Sequence, residues 1–427
     1  MLMSSKINNP EMAGKRQGDR WQIAAWCSYD WASSPVPTLH GTFVFSVYFA
    51  TVIMPEHGSV AWSQMTAASA FLTALLAPLL GSLADRHHRH RLLVIIMTVI
   101  AGLSLCALWW ATPDAGSIWL ALILSCLVVT TMELAFVGYN AMLPLLVSRH
   151  WLGRVSGFAW GAGYAGGMVS LVLVLMVLVL PETAVFGLDR STAEPVRLVM
   201  PLAACWLLLF SLPLMFIRTP PPAAVPARQR LLPMLRALIS QIRTTPALGR
   251  FLVARMLYAD ALVTLFAMGG IFAARVFGFS QEQVLLFAIL LNITAGVGAM
   301  LGGMLDDKLG SLPTIRLALV GLAGFGLIAI FTSSPLLFWV TGAALGVFVG
   351  PLQSASRSHI GRLAPAGMEA RLFGVLMLSG KLTAFIGPLC YGWLVLITGT
   401  ERAGMAVVIL LLLAGLWLLR PGLAARG

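Results

Sequence analysis

The sequence predicts an all-α integral membrane protein whose twelve transmembrane helices form two pseudo-symmetric six-helix bundles. Hydrophobic residues make up 59% of the 427 residues, charged residues make up only 10%, and the mean hydropathy is +0.89. These values differ strongly from those of soluble globular domains. Two further observations predict the arrangement: a series of apolar runs long enough to cross a bilayer, and a proline-rich break near the middle of the chain.

Each predicted span is an uncharged or nearly uncharged run of about 20 residues, the length that a helix needs to cross the hydrocarbon core. The spans are 24–53, 63–84, 92–111, 117–146, 155–180, 196–217, 251–277, 283–305, 313–332, 335–357, 372–398 and 403–419. Residues 1–20 are polar, and the first apolar run is too long for the apolar part of a signal peptide. We therefore expect residues 1–20 to form a cytoplasmic segment that leads into the first helix.

The charges of the loops predict that both termini are cytoplasmic. Positive residues favour the cytoplasmic side of a membrane. Most bases fall in alternate loops, namely Arg86, Arg89, Arg91, Arg149, Arg154, Arg218, Arg228, Arg230, Arg236, Arg243, Lys308, Arg316, Arg357, Arg362 and Arg371. The opposite loops carry mainly acids, namely Glu56, Asp114, Glu182, Asp189, Glu194, Glu282 and Glu401.

This topology also explains the formal net charge of +12 without a nucleic-acid partner, because the bases are spread over several loops and form no single groove. We expect a multi-pass protein of a bacterial plasma (inner) membrane that contacts the lipid bilayer and works as a monomer. The five cysteines all fall within predicted spans and indicate no disulfide framework.

One long loop, residues 218–250, divides the chain into an N-terminal bundle at 21–217 and a C-terminal bundle at 251–420, with a cytoplasmic tail at 421–427. The loop begins "RTPPPAAVPARQR", a composition typical of a break between domains. Its second part, "RLLPMLRALISQIR", fits either a helix on the inner leaflet or an ordinary tether.

Short motifs recur in the two halves in the same order. After the second span the chain reads "GSLADRHHRHR", and after the eighth span it reads "GGMLDDKLG", so Gly81 precedes Asp85 as Gly302 precedes Asp306. The fifth span starts with "GRVSGF" and the eleventh with "ARLFGV", while "YD" in the first span matches "LYAD" in the seventh. Together these matches predict two parallel repeats.

The motif "GSLADRHHRHR" resembles the loop pattern of the major facilitator superfamily, although its His-rich insert departs from that pattern. The combination of "YDWASS", "GFAWGAGYAGG", "FLVARMLYAD", "MGGIFAARVFG" and "SRSHIGRLAPAGMEARLFGVLMLSGKLTAFIGP" is similar to the vacuole-effluxer branch of that superfamily. The resemblance implies secondary transport, with export of amino acids from a vacuole in the best-known eukaryotic relatives. It also implies that spans one, four, seven and ten surround a central path.

Ionisable residues within the spans are the main candidates for proton coupling or solute binding. A charge near the bilayer centre costs about 2.5–3.5 kcal/mol on insertion scales, so each should face a cavity, a partner or a helix junction. Spans one, four, seven and ten carry Asp30, Glu133, Asp260 and Arg357, respectively. The other two candidates are Arg255 and Lys381.

Asp30 is followed by Pro35 and Pro37, which remove amide donors and should bend the first helix beside a cavity. A desolvated carboxylate there could bind a proton in one orientation of the halves and release it in the other. The alternative is that Asp30 pairs statically with Arg255 or Lys381.

The other intramembrane charges leave similar alternatives open. Glu133 is the preferred proton site because no base in its own helix compensates it, although it could instead hydrogen-bond a neighbouring helix as a neutral acid. Lys381 could receive a solute carboxylate or pair with an acid, and Asp260 could share one end of its helix with Arg255.

Two further sets of residues complete the predicted site. By resemblance, Asp85 should lie near the cytoplasmic start of span eleven, where the positive helix end and Arg371 would favour an anion in one state of a conformational switch. The predicted switch residues are Gly81, Asp85, Arg86, Arg89, Asp306 and Arg371, although positive-inside topology alone also explains the arginines. The predicted cavity-lining residues are Tyr29, Trp31, Tyr139, Asn140, Trp160, Tyr164, Tyr258 and Gln353.

Enzyme classes are excluded because the chain has no P-loop, nucleophile elbow, zinc-binding helix or glycine-rich dinucleotide turn, and no cofactor is expected. His87, His88 and His90 could bind a metal, but a solvated basic loop is the simpler interpretation. The sequence therefore predicts a secondary transporter that exports a small polar solute such as an amino acid, and proton coupling is a further hypothesis. The alternatives are an exporter of amphipathic drugs or lipids, and a membrane receptor or scaffold that transports nothing.

Overall fold

The computed structural model describes residues 20–179, 187–218, 246–279, 281–364 and 368–420. Within these residues, all regular secondary structure is helical. The membrane helices are α1 Arg20–Ile53, α2 Gly58–His87, α3 His90–Ala107, α4 Ile118–Leu146, α5 Leu152–Val174, α6 Glu194–Met215, α7 Pro246–Phe277, α8 Gln281–Leu309, α9 Ser311–Phe331, α10 Pro335–Leu363, α11a Glu369–Thr383, α11b Ile386–Thr398 and α12 Glu401–Leu418.

Eleven helices among the described residues are long and apolar enough to span a membrane, and the predicted span at 372–398 differs from them because it is broken. Its two parts, α11a and α11b, meet at Ala384 and Phe385. Pro388 explains the break, because a proline has no amide to bond the carbonyl four residues earlier, which is that of Ala384. The same proline is tolerated in the first turn of the helix that follows.

The first helix becomes irregular at its two prolines. Its regular α-helical part ends at Ser33, and wider π-helical turns follow over Val36–Phe43 and Phe49–Ile53. Pro35 cannot bond the carbonyl of Trp31, which instead accepts a hydrogen bond from Nε1 of Trp206 at 3.2 Å. The proline therefore leaves a backbone carbonyl that a side chain satisfies.

The two halves, residues 20–218 and 246–420, meet at one end of the molecule. We call this end the terminal face, because α1 begins there at Arg20 and α12 ends there at Leu418. The contacts run between α2 and α11a and between α5 and α8. Gly157 of α5 lies so close to α8 that a Cβ atom would sit 2.2 Å from the carbonyl oxygen of Ala299.

At the opposite end, the polar contacts among the described residues stay within one half. Arg197 on α6 donates to the carbonyl of Trp109 at 2.8 Å in the first half. In the second half, Arg275 on α7 pairs with Glu401 on α12 at 2.9 Å. The hydrogen bonds that link the halves in the described part of the chain therefore lie at the terminal face or between it and the centre.

Three predicted segments lie outside the described residues. These are most of the lead at 1–20, the greater part of the central loop at 218–250 with its predicted interfacial helix, and the tail at 421–427.

Candidate functional site

An ion pair between the halves lies at the centre of the candidate site. Arg357 on α10 donates from Nη1 to Oδ2 of Asp30 on α1 at 2.9 Å. Its Nε donates to the hydroxyl of Ser156 on α5 at 2.9 Å, and its Nη2 donates to the Ser156 carbonyl at 2.7 Å. Since Asp30 and Ser156 belong to the first half, every nitrogen of this guanidinium binds across the boundary between the halves.

Aromatic rings of the first half surround the same guanidinium. Its central carbon lies 5.0 Å from the ring centre of Trp26, 5.5 Å from that of Trp160 and 5.8 Å from that of Tyr139. Cation–π contacts at these distances stabilise a desolvated guanidinium. The side chains of Arg357 and Asp30 are only 6% and 9% exposed, so removing either partner would leave a buried, uncompensated charge.

This pairing corrects the static alternative for Asp30. The sequence suggested Arg255 or Lys381 as the partner, whereas the structure pairs Asp30 with Arg357, 327 residues away along the chain. Arg255 instead lies over the ring of Tyr258, at 5.3 Å from its centre. The backbone of Lys381 lies in α11a, but its side chain lies outside the described residues.

A cavity of about 670 Å³ between the halves, which we call the central cavity, lies next to this ion pair. Most of its wall is apolar, but several polar and charged side chains from both halves reach it. They are Thr42, Glu133, Asn140, Trp160, Arg255, Gln353, Ser356 and Arg357. The structure thus brings together three of the predicted coupling candidates, Glu133, Arg255 and Arg357, and three of the predicted lining residues.

Some polar atoms of the residues that line this cavity have no hydrogen-bond partner within the described part of the chain. They are the buried Nε and Nη1 of Arg255, Nε1 of Trp160 and Oδ1 of Asn140. Buried polar groups in proteins are nearly always paired with protein or with water, so unpaired ones need an explanation.

Two further cavities adjoin the central one. A cavity of about 290 Å³ is lined by Asp30, Tyr164 and Asn292 among others, so one residue of the ion pair borders this cavity. A larger apolar chamber of about 700 Å³ lies mainly among α7, α8, α9, α10 and α12. The apolar chamber and the central cavity share the lining residues Thr42, Trp160, Phe266, Ala267 and Gln353.

Tyr164 and Gln353, both predicted to line the cavity, meet between the halves, where the Gln353 amide donates to the Tyr164 hydroxyl at 3.3 Å.

Four other residues predicted to line the cavity pack elsewhere. Tyr29 is fully buried and shares a hydrogen bond with Thr98, while Trp31 packs on Trp206 and Phe210. Tyr139 stacks on Trp26, and Tyr258 shares a hydrogen bond with Ser356. The sequence indicated only that these rings could line a binding site, and each ring has a packing partner that only the fold reveals.

Asp260 occupies a different position from Asp30. It is 1% exposed, and its Oδ2 accepts a hydrogen bond at 2.8 Å from the amide of Gly387 in the first turn of α11b. Its Oδ1 is buried without a hydrogen-bond partner among the described residues. The side chain therefore caps a half-helix that begins inside the membrane, where the carboxylate also faces the positive end of the helix dipole.

Two aspartates at the terminal face bind the starts of helices in the opposite half. Asp85 accepts from the amide of Ala370 at 2.8 Å and from that of Arg371 at 2.7 Å, at the start of α11a. Asp307 accepts from the amides of Gly153 at 2.8 Å and Arg154 at 3.0 Å, at the start of α5. The two contacts are related by the internal repeat.

In the internal repeat, Asp85 of the first half therefore corresponds to Asp307 of the second half, one residue later than the sequence motifs indicated. The sequence matched Asp85 with Asp306, but Asp306 is fully buried and binds Arg362 at 2.5 Å and Ser358. Gly81 packs against the carbonyl of Ala370, where an added Cβ would lie at 2.7 Å.

The remaining residues of the predicted switch set are bases. Arg86 is half-buried, Arg89 is exposed, and the backbone amide of Arg371 binds Asp85. The side chain of His90 also binds Asp85, at 2.8 Å, so one histidine of the basic loop has an acidic neighbour that the sequence did not indicate.

The sequence-based prediction missed Ser156, Asp307 and Arg362. Ser156 lies within the motif "GRVSGF", and Asp307 directly follows Asp306 in "LDDKLG", so the repeated motifs contained both. Arg362 ties Asp306 and Asp307 together and also donates to the carbonyl of Arg149 in the other half at 3.3 Å.

Comparison with known proteins agrees with this arrangement. The chain matches the family described as "Vacuole effluxer Atg22 like" over residues 46–423. YxiO of Bacillus subtilis (strain 168), described as an uncharacterized MFS-type transporter, is 24% identical over 93% of this chain and 94% of its own length. Autophagy-related protein 22 of Cryptococcus neoformans is 25% identical over 70% of this chain and 59% of its own length.

Solved structures share the fold at low sequence identity. The fucose:proton symporter FucP of E. coli has a TM-score of 0.74 at 13% identity, covering 93% of this chain and 97% of its own. The human organic anion transporter MFSD10 has a TM-score of 0.75 at 16% identity, covering 94% of this chain and 99% of its own. These relatives are transporters and not enzymes, as the sequence predicts for this protein. The chain belongs to the vacuole effluxer Atg22-like branch of the major facilitator superfamily of transporters.

Proposed function

We propose that this protein exports a small polar solute, with amino acids as the leading class, by alternating access of a central site, and that proton movement is coupled to this export. The observation that carries the proposal is the position of the central cavity, which lies between the halves and directly beside their ion pair. A solute in this cavity would contact both halves, so its binding could change with their relative orientation.

Alternating access requires the terminal face to open and close. If the loop charges orient the protein as predicted, this face is cytoplasmic and the structure is closed towards the cytoplasm. Opening would then separate Arg357 from Asp30 and Ser156, and would release the helix starts from Asp85 and Asp307. Both termini would lie on the cytoplasmic side of a bacterial plasma membrane.

Two carboxylates are suited to proton coupling. Protonation of Asp30 would remove the charge that faces Arg357, and Asp30 borders a cavity through which a proton could arrive. Breaking the ion pair without such neutralisation would leave a charge buried in a desolvated site. Glu133 lines the central cavity and is the second candidate.

The solute class is supported by the polar groups of the cavity and by the family. A cavity with a carboxylate, Glu133, and the guanidinium of Arg255 suits a solute that carries both an amine and a carboxylate. The family is described as that of a vacuole effluxer, which favours export.

One observation favours a second candidate function. The apolar chamber of about 700 Å³ continues from the central cavity and would hold the apolar part of an amphipathic drug or lipid. A receptor or scaffold is disfavoured, because buried intramembrane charges in both halves are costly unless they are used. These alternatives predict different flux: amphipathic solutes move in one case, and nothing moves in the other.

The test is transport by the purified full-length chain in liposomes. A mixed pool of labelled amino acids is followed with and without an imposed pH gradient for the native protein, Asp30→Asn and Glu133→Gln. We expect gradient-dependent movement by the native protein and loss of the gradient dependence in at least one variant. Asp114→Asn and Glu56→Gln make the same changes at exposed positions and should behave as the native protein does.

The results separate the parts of the proposal. Gradient dependence that persists in both Asp30→Asn and Glu133→Gln would contradict proton coupling through these residues. A native protein that moves no amino acid but moves an amphipathic dye would favour the second candidate. Movement of none of the solutes by the native protein would contradict both transport proposals.

A further inference from the structure

The geometry points to Arg255 as the residue that binds an anionic group of the transported solute, with Trp160 and Asn140 binding its remaining polar atoms. This inference rests on the proposed function and specifies its solute: a small monoanion or zwitterion with a carboxylate and a separate N–H or O–H donor.

Arg255 is a cation with two donor nitrogens that have no partner in the described part of the chain. Its Nε and Nη1 are buried and have no hydrogen-bond partner among the described residues. The contact that the structure gives its guanidinium is the face of Tyr258, at 5.3 Å. A ring face partly compensates the charge but accepts no strong hydrogen bond, so the guanidinium still needs an acceptor in this low-dielectric site.

Arg357 lines the same cavity and differs from Arg255 in its hydrogen bonding. Its Nε, Nη1 and Nη2 are all bonded, to Asp30 and Ser156, and it holds the two halves together. All three of its nitrogens therefore already bind the first half in this closed state. Arg255 lines the same cavity without such bonds, and its planar fork matches a carboxylate in two-pronged geometry.

Two neighbours extend this complementarity. The Nε1 of Trp160 is a donor without an acceptor, and Oδ1 of Asn140 is an acceptor without a donor, in each case among the described residues. Indole nitrogen can only donate, and an amide oxygen can only accept. A solute that satisfies these atoms must present an acceptor group to Arg255 and Trp160 and a donor to Asn140.

The cavity wall also limits the charge of the solute. Glu133 lines the same cavity, so a second anionic group on the solute would face a carboxylate. Like charges at short range in a site of low dielectric are strongly unfavourable. This favours a solute with a single carboxylate over a dicarboxylate.

The test is direct binding to the purified full-length protein in detergent, measured by isothermal titration calorimetry. The probes are the twenty common amino acids, the amide of each one that binds, and the matching carboxylic acid without the amine. The variants are Arg255→Gln, which removes the charge, and Arg255→Lys, which keeps the charge but loses the fork. Arg275→Gln, on the exposed part of the same helix, is the matched control.

We expect the native protein to bind at least one carboxylate probe and to bind its amide at least about tenfold more weakly. Arg255→Gln should weaken binding of the carboxylate probe about 10- to 100-fold, since a charge-assisted hydrogen bond contributes about that factor. The same change should abolish the preference for the carboxylate over its amide. The affinity of Arg255→Lys for the carboxylate probe should lie between those of the native protein and Arg255→Gln. The control should keep the native affinity and preference.

Three results would overturn the inference: a native protein that binds no carboxylate probe, equal affinity for acid and amide, or native affinity and preference in Arg255→Gln. Flux measurements on the same preparation separate this failure from failure of the proposed function. A native protein that moves a solute without a carboxylate would remain a transporter while contradicting the role of Arg255.

Discussion

The first helix of each half carries a buried aspartate shortly after a buried tyrosine, but the two carboxylates bind across different boundaries. Asp30 on α1 binds Arg357 in the opposite half, whereas Asp260 on α7 binds the amide of Gly387 within its own half. Equivalent positions in the repeat therefore have different structural roles. Asp30 joins the two halves, and Asp260 stabilises the start of a helix within one half.

The difference separates two kinds of intramembrane charge. In the proposed cycle, the partner of Asp30 would leave when the terminal face opens, so the energy of this contact would change between the two states. The partner of Asp260 is the first turn of α11b, which moves with α7 if each half moves as a rigid body. Substitutions at the two positions should therefore affect different measurable quantities.

The largest expected effect is that of breaking the ion pair from one side. Arg357→Gln leaves the Asp30 carboxylate buried and uncompensated, which costs about 3–5 kcal/mol in buried pairs. We expect the state with a closed terminal face to lose most of its free-energy advantage over the open state. The double variant Asp30→Asn with Arg357→Gln removes both charges and should recover part of that loss.

A cysteine at Ser354 can report this opening, because Ser354 is fully buried and its carbonyl binds Ser156 of the other half. In a variant that lacks the five native cysteines, maleimide labelling of Ser354→Cys should be at least tenfold faster with Arg357→Gln than without it. An unchanged labelling rate would mean that the ion pair does not hold the face closed.

A smaller effect is expected from crowding the contact between α5 and α8. Gly157→Ala would place a methyl group 2.2 Å from the carbonyl oxygen of Ala299, and overpacking of this kind costs about 1–3 kcal/mol. Because the contact joins the two halves, labelling at Ser354→Cys should again become faster. Gly324→Ala is the matched control, since its Cβ would meet nothing within 4 Å, and it should leave the rate unchanged.

The smallest effect is expected at Asp260 and should differ in kind. Asp260→Ala removes the cap of α11b and should cost about 0.5–2 kcal/mol of stability, seen as a fall of a few degrees in Tm by scanning fluorimetry in detergent. Asp260→Asn keeps an acceptor oxygen, so its Tm should fall less than that of Asp260→Ala. Labelling at Ser354→Cys should stay slow in both variants; fast labelling would remove the distinction between the two aspartates.

Much of this fold could be predicted because its signals are local. Apolar runs predicted the spans, and Pro35 and Pro37 predicted a disturbance of α1 in the region where the structure has π-helical turns. The break between α11a and α11b was missed although Pro388 lies beside it, because apolar composition continues across the break and the cap comes from Asp260 on another helix.

The site was less predictable because its contacts connect distant parts of the chain. Asp30 and Arg357 were both candidates, but their pairing depends on how α1 and α10 face each other across the boundary of the halves. The repeat indicated Asp306 rather than Asp307, because a shift of one residue rotates a helical side chain by about 100° and is invisible to motif matching.

The most direct test of the central claim is the distance across the terminal face, measured by pulsed electron resonance between nitroxides at His87 and Lys308, which are both exposed there. The native protein should give one main distance, and Arg357→Gln should add or favour a longer one. Distance distributions that are the same for the native protein and Arg357→Gln would contradict the claim that the ion pair of Asp30 and Arg357 keeps this face closed.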